Sequence, residues 1–158
     1  MTFRIGNNKW EFIFAVKNGN LENMKWLLEN KFPYDDKYIF KYAAEIGNLG
    51  IMKWLFENKF PYDKYTFSSA ARNGNLENMK WLLENKFPYD SCTFENAALN
   101  GNLENMKWLL KNKFPYNIRV FKSAIINENI ENMKWLLENN FSYGKYEKII
   151  LIKYGLIK

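Results

Sequence analysis

At 158 residues, with 47% hydrophobic and 18% aromatic residues and a formal charge of +6, the chain suits one domain or one short array with a continuous core. Its single cysteine, Cys92, excludes an internal disulfide scaffold, and the absence of histidine removes the usual general base, Ser/His and Cys/His nucleophile pairs and His-containing zinc sites. No run of about 18 apolar residues exists and Met1 to Gly6 has no signal-peptide core, so the chain is expected to be cytoplasmic, neither secreted nor membrane-bound.

Five tryptophans, Trp26, Trp54, Trp81, Trp108 and Trp135, stand 28 and then three times 27 residues apart. The text from Gly19 to Tyr34 recurs almost unchanged as Gly74 to Tyr89 and Gly101 to Tyr116. One solenoid is therefore expected, with units at about 8–35, 36–62, 63–89, 90–116 and 117–143 and a half-unit cap at 144–158.

Each unit reads as two short helices. The first carries an i, i+3, i+4 apolar stripe: Phe12, Ala15, Val16; Phe40, Ala43, Ala44; Phe67, Ala70, Ala71; Phe94, Ala97, Ala98; Phe121, Ala124, Ile125. Four residues before each Phe stands Asn8, Asp36, Asp63, Asp90 or Asn117, suited to accept the free amide hydrogens of a first turn. Gly19, Gly47, Gly74 and Gly101 mark left-handed turns, after which Asn20, Asn48, Asn75, Asn102 and Asn129 can cap a second helix. Glu128 takes the glycine position in the fifth unit, at an expected cost of about 1 to 2 kcal/mol. The second helix buries Leu21, Met24, Leu27, Leu28 and their counterparts and stops before Phe32-Pro33. Such helices are marginal alone, so stacking must stabilise them.

At the carboxy end, Lys145 to Lys158 matches the first helix of a sixth unit with Lys148 in place of the core Phe. Four lysines against Glu147 in that stretch supply half the excess charge, and the other Lys and Arg residues are read as interleaved with Glu on solvated helix faces. At the amino end, Trp10, Phe12, Ile13 and Phe14 enrich the first helix in apolar groups and suggest a surface for self-association.

The stretch Thr66-Phe67-Ser68-Ser69-Ala70-Ala71-Arg72-Asn73-Gly74-Asn75-Leu76-Glu77 resembles the first helix, glycine turn and second-helix start of an ankyrin repeat. The similarity covers roughly residues 8–156 and extends to the Asn/Lys/Phe/Tyr-rich ankyrin repeat proteins of giant viruses of amoebae. What the resemblance implies is an all-α helical solenoid and a non-catalytic protein-binding role, in viral relatives often that of an adaptor facing proteins of the host-cell cytoplasm. A usual ankyrin unit has about 33 residues, so the β-hairpin fingers are expected to be absent or rudimentary.

Positions −2, +2 and +5 from each core Phe lie opposite the buried stripe at about 100° per residue. The binding strip expected from them is Trp10, Phe14, Tyr38, Tyr42, Glu45, Tyr65, Ser69, Arg72, Asn96 and Leu99, whose Tyr, Trp and Arg are residues that dominate interface energies. The same residues could instead pack against neighbouring first helices. The tryptophan ladder suits unit-to-unit packing, and stacking of single-stranded nucleic acid on it is the alternative. Against that alternative, most ladder lysines have a Glu three or four residues away. Cys92 has only Ser91, Thr93 and acids near it and is read as a small surface or groove residue, not a nucleophile. No cofactor, metal ion or catalytic group is expected.

Overall fold

The computed structural model describes residues 10–34 and 36–158, with backbone alone at 36 and 37. Asn8 and the side chain of Asp36, two of the expected caps, lie outside the described residues. Eleven helices are described, and they form two layers. First helices are α1 (Trp10–Lys17), α3 (Asp36–Ile46), α5 (Lys64–Asn73), α7 (Ser91–Asn100), α9 (Arg119–Ile126) and α11 (Lys145–Lys153). Second helices are α2 (Leu21–Glu29), α4 (Leu49–Glu57), α6 (Leu76–Glu84), α8 (Leu103–Lys111) and α10 (Ile130–Glu138). Each first helix packs on the first helix of the next unit, and α1, α3, α5, α7 and α9 also on their own second helices. Among the described residues there is no strand, and the connections between units are short loops without β fingers.

The helix ends follow from local chemistry. Asp63 Oδ1 accepts the Tyr65 amide at 2.8 Å, Asp90 Oδ1 the Cys92 amide at 2.9 Å and Asn117 Oδ1 the Arg119 amide at 2.8 Å. The second helices are capped in the same way by Asn20, Asn48, Asn75, Asn102 and Asn129. At the tight turns Gly19, Gly47, Gly74 and Gly101 have φ of 67, 75, 89 and 87°, and Glu128 takes φ 57° in the fifth unit.

The second helix stops before Phe32-Pro33 as expected, but the device that closes it is not the proline. Lys31, Lys59, Lys86, Lys113 and Asn140 are left-handed, with φ from 54 to 60°. In the first unit the Phe32 amide donates to the Leu27 carbonyl and the Lys31 amide to that of Leu28, the pair of bonds that closes a Schellman turn. The preceding asparagine reinforces it, as Asn30 Nδ2 donates to the Trp26 carbonyl at 2.8 Å, a bond repeated at Asn58, Asn85, Asn112 and Asn139. Asn-Lys-Phe is thus a stop signal already complete before Pro33.

Stacking buries the stripe. Phe12, Phe40, Phe67, Phe94 and Phe121 are fully buried, and at about 2 to 3 kcal/mol each their burial is a large part of what the short helices lack. Ile125 at the far end is only half-buried, and so are Leu21 and Leu28, whereas Met24 and Leu27 are fully enclosed. The loop aromatics join consecutive units. Phe87 lies 5.1 Å from Phe40 of the preceding unit and stacks at 3.9 Å on Tyr62, and Phe114 repeats this on Phe67 and Tyr89 at 5.1 and 4.1 Å.

Two ladders of asparagine cross the junctions. Asn73, Asn100 and Asn127, each at or just past the end of a first helix, donate to the carbonyls of Glu45, Arg72 and Leu99 one unit back at 3.1, 3.1 and 3.2 Å. Asn105 and Asn132, completely buried in second helices, donate to the Gly74 and Gly101 carbonyls at 2.7 and 2.9 Å. A helical wheel of one unit places these residues with Asn23 on the polar face. It errs because the covering surface belongs to the unit before, and Asn23 itself, in the first unit, is exposed.

Candidate interaction surface

The strip on the outer face of the first helices is unevenly exposed. Trp10 and Phe14 on α1 are 49% and 61% exposed, Tyr38 on α3 is 39% and Tyr65 on α5 50%. Tyr42, Asn96 and Leu99 are half-buried, Glu45 and Arg72 are exposed, and Ser69 is buried at 7%. Ser69 is a small residue on α5, which packs between the first helices α3 and α7.

The structure brings five of these residues together. Glu45 from α3, Tyr65, Ser69 and Arg72 from α5, and Asn96 from α7 line a groove of about 220 Å³, together with Lys41 and Ser68. Tyr38, Lys41, Asp63 and Tyr65 line an adjoining hollow of about 330 Å³, so Lys41 and Tyr65 form the wall between the two. Tyr42 lies 6.4 Å from Tyr38, ring to ring, and the Lys17 ammonium sits 4.4 Å above the Tyr42 ring, a cation–π contact that links α1 to α3. Trp10 and Phe14 lie at the amino end, outside the groove, and Leu99 does not line it. Lys41 and Ser68 are missing from the expected strip because both stand one residue past a core Phe, at the edge of the buried stripe. The variation of that position, through Ile13, Lys41, Ser68, Glu95 and Lys122, is the signal that could have found them.

Charge is sorted between the layers in a way that the interleaved reading misses. The first helices carry ten Lys and Arg against five Asp and Glu, whereas the second helices carry six against eight. On the second helices the charges do pair locally, Lys25 to Glu22 at 2.7 Å and Lys107 to Glu104 at 3.2 Å, exposed pairs of little energetic weight. Most of the first-helix excess lies on α9 and α11, whereas α3, α5 and α7 carry four Lys and Arg against three Asp and Glu.

On the first-helix face Lys64 bridges the third and fourth units through Asp90, 2.8 Å away. Hydrogen bonding and charge from Asp90 raise the Lys64 pKa. Burial pushes the Asp90 carboxyl upward, but the Lys64 ammonium and the Cys92 amide outweigh it and hold the carboxyl below its usual range. Burial and the neighbouring Asp90 and Glu95 charges raise the Cys92 thiol, which disfavours the thiolate that nucleophilic chemistry needs.

The tryptophan ladder is engaged in packing. Each indole lies 5.4 to 5.8 Å from the loop Phe of its own unit, and Trp81 also meets Phe56 edge-on at 5.6 Å. Trp54, Trp81, Trp108 and Trp135 are half-buried against the core, and Trp26 in the first unit is 46% exposed. Among the described residues no helix is long and apolar enough to cross a membrane.

Stacked helix-turn-helix units that bury their inner faces on each other and present a grooved outer face define a helical repeat solenoid, a class whose members work through surfaces. A family model described as ankyrin repeats, in three copies, matches residues 12–93, slightly more than half of the chain, and the chain belongs to the ankyrin repeat family. Ankyrin repeats are in general non-catalytic modules of protein–protein interaction. No curated protein matches the chain.

Proposed function

We propose that this protein is a binding module that holds a partner protein against the outer face of its first helices, centred on α3, α5 and α7. The observation that carries this reading is the pair of adjoining hollows between Tyr38 and Asn96, where exposed tyrosines stand beside charged groups on packed helices. Tyrosine offers large contact area at low entropic cost, and a helical scaffold holds it in place before a partner arrives. The alternative, nucleic-acid stacking on the tryptophan ladder, is disfavoured because the indoles pack against loop phenylalanines. The likeness to viral ankyrin proteins extends the proposal to a cytoplasmic host protein as partner.

The test uses the full chain as bait in a native lysate, with crosslinking and mass spectrometry to map the contacts. Partners should crosslink to α3, α5 and α7 and be lost with Tyr38→Ala plus Tyr65→Ala. Retention of every partner by that variant, or crosslinks confined to the second helices, would remove the strip from consideration. A second reading, self-association, is favoured by the exposure of Trp10 and Phe14 at one end and of Tyr146, Ile149 and Ile152 on α11 at the other. Light scattering over a concentration range decides it: a constant monomer mass ends that reading.

A further inference from the structure

We infer that the groove across α3, α5 and α7 selects an acidic peptide segment, seating an Asp or Glu carboxylate between Lys41 and Arg72 with an aromatic or aliphatic neighbour against Tyr38 and Tyr65. This deepens the proposed function and rests on it. Lys41 and Arg72 approach the same groove from adjacent helices. Among the described residues neither takes part in an ion pair, although Glu45 lines the same groove. Lys64 close by is different, being already held by Asp90. Within the groove itself two cations stand with one carboxylate, Glu45, and the adjoining hollow adds Asp63 beside Lys41 and Tyr65.

The lining completes the argument. Guanidinium and ammonium groups bind carboxylate through charge-assisted hydrogen bonds, and Ser69 lines the same groove with them. Glu45 gives the site directionality, because it repels a second acid placed next to the first and attracts a basic or amide group there. A nucleic-acid backbone fits less well. Phosphates would need a run of uncompensated cations at regular spacing, and the neighbouring first-helix surface is interrupted by Glu45, Glu95 and the Lys64–Asp90 pair.

A random 12-residue peptide display library selected on the immobilised full chain tests this, followed by anisotropy titration of the enriched peptides and of a 20-nucleotide oligothymidylate. The selected pool should be enriched in Asp or Glu beside an aromatic or aliphatic residue. Its members should lose about tenfold or more in affinity to Lys41→Glu and to Arg72→Glu, both checked for folding by circular dichroism. They should gain with Glu45→Gln. Peptides that need Tyr38 and Tyr65 but show no acidic enrichment and bind Arg72→Glu as well as the parent would overturn the inference and leave the proposed face intact. Peptides insensitive to both sets of changes, or no enrichment at all, would sink both readings. Tight, salt-dependent binding of the oligothymidylate abolished by the charge reversals would overturn the inference in favour of nucleic acid.

Discussion

Between the third and fourth units, and again between the fourth and fifth, two asparagine side chains cross the junction to backbone carbonyls. Between the first and second units the same two positions hold Ile46 and Ile51, whose side chains have no hydrogen-bonding group. The aromatic contacts are nearly the same at both places, Phe60 lying 5.6 Å from Phe12 and Phe114 5.1 Å from Phe67. Apolar stacking therefore builds every junction, and the asparagines add direction and satisfy helix-end carbonyls only where a second polar layer is present.

The glycines follow the same division. A Cβ placed on Gly47, Gly74 or Gly101 would collide with the amide of Asn73, Asn100 or Asn127 from the next unit, whereas at Gly19 the nearest atom is Asn48 Nδ2 at 3.6 Å. Glycine is thus required twice over in the middle of the array, for its left-handed backbone and for its lack of a side chain, and once at Gly19. Glu128 is tolerated for the same reason, since the residue one repeat after Asn127 is Tyr154 and no asparagine approaches from α11.

Gly74→Ala should be the most damaging change that sharpens this contrast. It should cost about 2 to 3 kcal/mol in urea unfolding, the left-handed penalty plus the displaced Asn100 bond, against about 1 kcal/mol for Gly19→Ala. Equal costs would break the comparison. Asn105→Ala should lose about 2 kcal/mol by leaving the Gly74 carbonyl buried and unpaired, while Asn23→Ala, at the exposed counterpart, should change stability by less than about 0.5 kcal/mol. Glu128→Gly should stabilise by about 1 kcal/mol, read as a raised melting temperature, because it relieves a left-handed residue without crowding a neighbour. The smallest effect concerns pH. A carboxyl held below its usual range contributes stability above its unfolded value near about 3.9, and that contribution is lost as pH falls through the lowered folded value. Asp90→Asn should therefore flatten the acid limb of a stability profile slightly, and an unchanged limb would show that the Lys64 bridge does not couple the two units.

Much of the fold was legible because each unit repeats the same local instructions: Phe with two small residues one turn on, glycine at the turn, asparagine before the next helix. Lys31 and its counterparts were not legible as left-handed residues, since lysine has no intrinsic preference for that backbone and the following proline offered a sufficient reason for the helix to stop. The buried asparagines were missed because their burial is supplied by another unit, though the identity of Asn78, Asn105 and Asn132 beside Ile51 hinted that the position is interior. Of the strip, the tyrosines and charged residues were readable from helical phase. The groove itself was not, because Lys41 and Ser68 enter it from the edge of the buried stripe, and the charge asymmetry emerges only once helices are assigned to layers.

Residue-resolved amide hydrogen exchange under mildly denaturing conditions tests most directly the claim that each unit is held by its neighbours. Amides of α5 to α8 should exchange together at the slowest rates, and those of α1 and α2 should open first, several-fold to orders of magnitude faster. Equal protection of α1 and α5, or loss of α7 before α1, would contradict the account.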